Sequence, residues 1–177
     1  MAKRLTIDGY GQLELNNVAF RRDGRIEAQL PLDEVDFATK VAENGMLLTV
    51  DRAKGCIRFY EEGDKTVALN YTTEHMYDER KPGLKNFALK RGEFYPRLGY
   101  LSVGDKFTTN CISFEGTEED GKALVDNYAT TPLYGVPSSD GTILLTATAG
   151  EGVCLQVIEK TTMPDGQYAV KFIVVSC

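Results

Sequence analysis

The C-terminal stretch VCLQVIEKTTMPDGQYAVKFIVVSC, residues 153–177, decides the fold because it reads as two apolar strands joined by one turn. Within Met163-Pro164-Asp165-Gly166, proline fixes φ at the second turn position and glycine accepts the left-handed conformation, which is typical of a type I turn. If Met163 pairs with Gln167, the numbers of paired residues sum to 330. This register places Glu159 opposite Lys171, Val157 opposite Ile173 and Leu155 opposite Val175.

One face of this predicted hairpin is apolar and carries the Glu159–Lys171 charge pair near the turn. Because successive side chains on a strand point to opposite faces, the register gathers five apolar residues on one side: Val153, Leu155, Val157, Ile173 and Val175. The opposite face mixes polar and apolar residues, which indicates partial cover. The end of the chain is therefore predicted to be a core or near-core strand of a β-barrel or β-sandwich.

The rest of the chain favours short strands and turns, so we expect one mainly β domain over residues 1–177, with about eight to eleven strands. Asp-Gly at 23–24 lies between alternating segments and predicts a hairpin of residues 13–20 with 25–32. Apolar residues recur every third position from 32 to 41, between a capping Asp33 and Gly45, which predicts a helix near 33–43. A second helix is predicted over 118–126, capped by Thr117 with Asp120 reaching back to it.

Composition places the chain among ordinary globular proteins, with 42% hydrophobic and 26% charged residues in 177. The net charge of −6 argues against general nucleic-acid binding. The longest apolar runs are too short to span a bilayer, and the start MAKRLTIDGYG lacks the apolar core of a signal peptide. Four dispersed cysteines resemble no disulfide or zinc framework. These features favour synthesis in a reducing cytoplasm, with neither nucleic acid nor membrane as a partner.

Catalytic patterns are missing from the sequence, and we expect a protein without catalytic residues, cofactor or metal. His75 is the only histidine, whereas zinc enzymes of the HExxH kind need two. No serine lies in a GxSxG elbow, and no cysteine shares a segment with His75, so a polar loop role is the default for this residue. Cys56, Cys111 and Cys154 are flanked by apolar β residues and are predicted to be buried. A catalytic pair of carboxylates stays open, because acids are plentiful and their separations are unknown.

Charge is distributed unevenly along the chain. Residues 80–97 hold six Lys or Arg against one Glu, and residues 114–126 hold five acids against one Lys. One interpretation is a pair of solvated loops, and the other is a pair of complementary surfaces that meet on neighbouring molecules. Aromatic residues interleave the basic stretch, which favours an interface. Its candidate residues are Arg80, Lys81, Lys85, Phe87, Arg91, Phe94, Tyr95 and Arg97.

Two further stretches carry a resemblance to a known class of proteins. FYPRLGYLSVGDKFTTNCISFE and DGTILLTATAGEGVCLQVIEKTTMPDGQYAVKFIVV resemble auxiliary structural proteins of tailed-bacteriophage virions, of the capsid-decoration or head-fibre type. The resemblance covers roughly the C-terminal half and rests on the order of an L-x-VGD-x-FTTN turn, an AG-x-G strand entry and a TTMPDGQ-x-AVKF hairpin. It implies a rigid β body that decorates or stabilises a capsid lattice and acts through surfaces.

This resemblance also implies partners and a location. The implied partner is the major capsid protein or another virion protein, and the chain is expected to form a homo-oligomer, with a trimer favoured. The implied location is the virion, after synthesis in the bacterial host cytoplasm. The alternative is a small-molecule or carbohydrate-binding β-barrel module whose tyrosines line a pocket.

Overall fold

The computed structural model describes residues 2–72 and 84–177, and within these ranges the protein is mainly β, with thirteen strands in two sheets. The strands are β1 (Lys3–Arg4), β2 (Leu13–Asn17), β3 (Ile26–Glu27), β4 (Leu47–Asp51), β5 (Cys56–Phe59), β6 (Val67–Asn70), β7 (Leu98–Gly99), β8 (Lys106–Thr109), β9 (Ile112–Phe114), β10 (Tyr134–Pro137), β11 (Ile143–Thr146), β12 (Cys154–Thr162) and β13 (Tyr168–Ser176). The helices are α1 (Phe20–Asp23) and α2 (Glu118–Asp126), with a 3-10 turn at Leu84–Asn86.

These elements confirm the mainly β prediction and make the fold a sandwich rather than a closed barrel. The predicted number of strands was too low, because β1, β3 and β7 are only two residues long and leave no alternation in the sequence. Among the described residues, no helix is long and apolar enough to span a membrane.

The larger sheet has the order β1-β9-β11-β10-β12-β13-β8-β2, and it must curl strongly. Strands β8 and β9 lie five positions apart, about 24 Å in a flat sheet. Only Asn110 and Cys111 join them, and the three intervening Cα steps reach about 11 Å at most. The sheet therefore bends until the end of β8 meets the start of β9, although no ladder closes between them.

The terminal hairpin forms the middle of this sheet, since β12 lies between β10 and β13, and β13 lies between β12 and β8. Its turn is the one predicted: Met163 N–H donates to Gln167 O at 2.8 Å, and Gly166 has φ +85°. Glu159 pairs with Lys171, which confirms the register near the turn. The prediction of a well-covered C-terminal strand is also confirmed by its position.

From Val157 to Leu155 the predicted register is wrong, and it returns at Cys154, which pairs with Ser176 as predicted. Val157 lies opposite Phe172 and Leu155 opposite Val174, each one residue from the partner that the turn predicted. The physical reason is a β-bulge at residue 158, which adds one unpaired residue to β12. The buried face of β13 consequently carries Val170, Phe172 and Val174, whereas Ile173 and Val175 lie on the other face, where Ile173 is half-buried and Val175 is 38% exposed.

Two hydrophobic cores lie on opposite faces of the smaller sheet, whose order is β3-β7-β6-β4-β5. The first core fills the space between the two sheets, where Leu47 and Leu69 meet Phe107 and Phe172 of the larger sheet. The second core packs Leu48 and other residues of the outer face against the chain that runs through 30–46. This segment is therefore a cover for the smaller sheet.

The helix predicted near 33–43 does not form, and the covering role of the segment explains why. The Asp33 carboxylate accepts the N–H groups of Val35 and Asp36 at 2.9 and 3.0 Å, which fixes a tight turn instead of a helix. Asp36 in turn accepts Phe59 N–H of the edge strand β5 at 2.8 Å. Val35, one of the supposed apolar stripe, is 83% exposed. Gly45 adopts the predicted left-handed conformation, with φ +88°, but at a turn before β4.

The hairpin predicted around residues 21–24 is also wrong. Residues 20–23 form α1, which ends at Gly24 with φ +68°. Strand β2 pairs with β8 in the larger sheet, and β3 pairs with β7 in the smaller one, so the segment crosses between sheets. Burial of Phe20 in the first core and a 2.8 Å hydrogen bond from Ala19 N–H to the Asp105 carboxylate hold this crossing.

The second predicted helix is confirmed as α2. Thr117 Oγ1 accepts Asp120 N–H at 3.1 Å and its hydroxyl donates to the Asp120 carboxylate at 2.5 Å, so both residues act in the cap. Gly121, an unfavourable residue inside a helix, is buried against the ring of Phe114, where a Cβ would overlap the ring. Close packing therefore explains this glycine.

Candidate interaction surface

The basic stretch is anchored to the body at several points between residues 84 and 99. Leu89 exchanges two backbone hydrogen bonds of 2.9 Å with Ala42, and a turn at 91–93 contains Gly92 with φ +82°. The chain then enters β7. Of the predicted interface residues, Arg80 and Lys81 lie outside the described residues, as does His75, and the remaining six belong to this anchored segment.

Part of the positive charge is neutralised within the chain. The Lys85 ammonium pairs with Asp8, which raises the pKa of Lys85. Arg91 pairs with Glu34 at 2.9 Å, so it links the basic stretch to the cover segment. Among the described residues, no carboxylate lies within the 4.0 Å of an ion pair from Lys90 or Arg97. Sequence reasoning missed both pairings because the partners lie far away along the chain.

The aromatic residues of the stretch separate into two groups. Phe94 is 71% and Tyr95 58% exposed, which is unusual for such large apolar rings. Phe87 is half-buried. A further exposed apolar residue, Val35, is next to Glu34 in the sequence. Because Glu34 pairs with Arg91, the ion pair holds the segment that carries Val35 against the basic stretch. The interface prediction itself stays a prediction.

The acidic stretch is largely occupied by partners in its own chain. Glu118 accepts Thr6 N–H at 3.0 Å and the Lys122 ammonium at 2.5 Å, and these hydrogen bonds lower the pKa of Glu118 to about 2. Asp126 pairs with Lys160, and Asp120 is held by the helix cap. The idea that this stretch meets the basic one on a neighbouring copy therefore rests mainly on its other two acids, Glu115 and Glu119.

A groove that the sequence did not predict runs beside the basic stretch. A cleft of about 520 Å³ is lined by Tyr10, Phe87 and Phe94, together with polar residues of 86–93. A second cleft of about 380 Å³ also contains Tyr10, and it continues past Lys40 to Asp140. Tyr10 therefore borders both clefts. The only sequence signal was its setting in the glycine-rich GYG.

A buried ion pair fixes the floor of the second cleft. Glu43 accepts Arg4 Nη1 at 2.7 Å, a second bond from Arg4 Nη2, and Gly11 N–H at 2.5 Å. The Glu43 side chain is only 6% exposed, and its hydrogen bonds raise the pKa of Arg4. This arrangement ties strand β1 and the chain at 11 to the start of the smaller sheet. Sequence reasoning missed it because the partners are 39 residues apart.

The cysteines have the environment that the sequence predicted. Cys56, Cys111 and Cys154 are buried and Cys177 is exposed. Burial raises the pKa of Cys56 to about 11 and that of Cys111 to about 12, so both are protonated thiols at neutral pH and poor nucleophiles. Within residues 2–72 and 84–177, no group of three or more His, Cys, Asp or Glu side chains is arranged to hold a metal ion.

These features define a mainly β, sandwich-like protein with an anchored basic and aromatic surface and an adjoining groove. Comparisons with protein-family models, with curated proteins and with solved structures find no match.

Proposed function

We propose that the protein is a non-enzymatic structural component of a tailed-bacteriophage virion that binds the capsid lattice and decorates or stabilises it. The proposal is supported by the resemblance of the C-terminal half and by a β body with two cores. It places a homo-oligomer, with a trimer favoured, on the major capsid protein or another virion protein, after synthesis in the bacterial host cytoplasm.

The observation that carries this proposal is the exposure of Phe94 and Tyr95 within a positively charged segment. Protein interfaces are enriched in aromatic and arginine residues, which are exposed in the free protein and become buried when the partner binds. A loop that stays in solvent would not be stabilised by such rings. The bonds at Leu89 and the turn at 91–93 fix the backbone that presents them. Binding therefore loses little conformational entropy at this surface.

Co-sedimentation with capsid particles tests the proposal. Purified protein is mixed with capsids of the phage whose genome encodes it, after removal of any bound copy, and bound protein is quantified by gradient centrifugation. We expect the wild type to sediment with the particles and the Phe94→Ser, Tyr95→Ser double variant to remain in solution. The control changes an exposed apolar residue outside both charged stretches, Val103→Ser, and should sediment like the wild type. Absence of wild-type binding would refute the proposal.

The charged rim is tested separately. Lys90 and Arg97 are the residues to change to Glu, because a change at Arg91 would also release Glu34 and disturb the cover segment. If the rim contributes, binding should weaken with rising salt, since exposed charges are screened over roughly 8 Å at physiological ionic strength. Analytical ultracentrifugation of the same variants gives the oligomeric state. Binding that is unchanged across the salt series and in the Lys90→Glu, Arg97→Glu variant would remove the charged rim from the proposal.

A further inference from the structure

We propose that the groove at Tyr10 is a binding site for a neutral oligosaccharide. The groove consists of the two clefts that share Tyr10, and together they offer the rings of Tyr10, Phe87 and Phe94 with polar side chains between them. Each cleft alone falls within the roughly 300–1,000 Å³ that small-molecule sites occupy. This inference goes beyond the proposed capsid role and does not depend on it.

The walls of the groove are fixed in the free protein. Tyr10 N–H donates to Lys85 O at 2.7 Å, and the Lys85 ammonium pairs with Asp8 on the same loop. Gly9 has φ +83°, and it lies so close to the Lys85 carbonyl that a Cβ would overlap it. On the far side the Ala42–Leu89 pairing holds the other end of the aromatic segment. The site is therefore formed before the ligand binds, and no free energy is needed to order its walls on binding.

The charges that line the groove select against ionic ligands. Its basic residues are Arg4, Lys40 and Lys90, and its acidic residues are Glu43, Asp140 and Glu93. Among the described residues that line the groove the two signs are equal in number, and Arg4 and Glu43 already neutralise each other. A phosphate or polyanion site needs an excess of positive charge, and the described lining has none. A neutral ligand fits better.

The chemistry between the rings favours a polyhydroxylated ligand over a purely apolar one. The C–H groups of a pyranose face carry slight positive charge and pack on the negative face of an aromatic ring. Its hydroxyl groups donate to carboxylates and accept from ammonium groups, and Asp140, Glu93, Lys40 and Lys90 supply both kinds of partner. An apolar ligand would displace water from these charged groups without offering them any hydrogen bond in exchange. Two adjoining clefts suit a chain of more than one sugar unit.

Isothermal titration calorimetry with maltohexaose, cellohexaose and N-acetylchitohexaose tests the proposal, with a heparin hexasaccharide as the anionic comparator. We expect at least one neutral hexasaccharide to bind more tightly than the heparin fragment. Tyr10→Ala should weaken that binding at least about tenfold, the loss that corresponds to about 1.4 kcal/mol. Tyr10→Phe keeps the ring and should retain most of the affinity. Tyr95→Ala, at an exposed tyrosine outside the groove, is the matched control and should bind like the wild type.

Three results would overturn the proposal: no binding of any neutral hexasaccharide at the highest soluble concentration, tighter binding of the heparin fragment, or wild-type affinity in Tyr10→Ala. A second variant, Lys40→Met, tests whether Tyr10→Ala weakens binding only by distorting the structure around residue 10. If Lys40 contacts the ligand, this variant should also weaken binding. Capsid binding is measured independently by co-sedimentation of the wild type, Tyr10→Ala and Lys40→Met, because Phe94 lines the groove and also belongs to the proposed capsid-binding surface. Sugar binding without capsid binding, or the reverse, therefore separates the two proposals.

Discussion

Replacement of Glu43 by Gln is expected to destabilise the protein strongly while leaving its shape unchanged. The substitution keeps the size of the side chain but removes its charge, so Arg4 loses its bidentate partner and Gly11 N–H loses a charged acceptor. Removal of one member of a buried ion pair costs roughly 3–5 kcal/mol. Arg4 is partly exposed and recovers some hydration, so we expect the lower end, about 3 kcal/mol.

The matched control is Glu34→Gln, which removes the same charge from an exposed pair. The Glu34 side chain is 87% exposed and contacts Arg91 at 2.9 Å through one ion-pair contact, whereas Glu43 accepts two bonds from Arg4 and one from Gly11. Exposed ion pairs contribute roughly 0–1 kcal/mol. The difference between the two variants therefore measures burial together with the additional hydrogen bonds of Glu43, and not the loss of a carboxylate as such.

Thermal and urea unfolding measure both variants at pH 7. For a domain of this size 1 kcal/mol shifts Tm by roughly 2–4 °C, so Glu43→Gln should lower Tm by roughly 6–12 °C. The control should lower it by no more than about 4 °C. The urea m-value should stay constant, since the same surface is exposed on unfolding. Equal Tm values for Glu43→Gln and Glu34→Gln would refute the reasoning.

Three other outcomes are expected. Gly121→Ala should destabilise the protein by roughly 1–3 kcal/mol in urea unfolding, because overlap with Phe114 outweighs the gain in helix propensity; a more stable variant would contradict this. Glu118→Gln should cost at most about 1 kcal/mol at pH 7. Because hydrogen bonding to Lys122 lowers the pKa of Glu118 to about 2, that difference should be complete above pH 4.5 and vanish as the pH falls through about 2; a constant difference would be contrary evidence. Ellman's reagent should modify Cys177 rapidly in the native protein and the three buried cysteines only after unfolding, and rapid reaction of a further thiol would speak against their burial.

Local signals in the sequence predicted local structure. The turn at 163–166 and the Thr117 cap each depend on residues within a few positions of one another, and both are confirmed. The helix near 33–43 failed because the same apolar spacing also suits a segment that lies over a sheet. In that segment the Asp33 carboxylate accepts backbone N–H groups of the local turn, and the Asp36 carboxylate accepts one from the edge strand β5. No period in the sequence distinguishes these two uses.

The candidate surface was predictable only in part, for the same physical reason. Phe94 and Tyr95 could be selected because large rings in a basic stretch are conspicuous in any sequence. Whether a basic side chain is available depends on distant carboxylates, and Lys85 is paired with a residue 77 positions away. The groove needs Tyr10 and the stretch at 86–94 to come together, and the backbone bond from Tyr10 to Lys85 that does this follows from the fold as a whole.

The terminal hairpin shows how far a turn determines its own sheet. The turn sets the pairing as far as Glu159 and Lys171, the register is shifted by one residue from Val157 to Leu155, and a second irregularity restores it at Cys154 and Ser176. The curl that brings β8 to β9 requires strong local twist, and a bulge supplies twist at the expense of one unpaired residue. Residue 158 is that residue, and its insertion turns Phe172 instead of Ile173 toward Val157 and the first core. The phenylalanine fills more of the interior of the curled sheet, so register and curvature are two results of the same packing requirement.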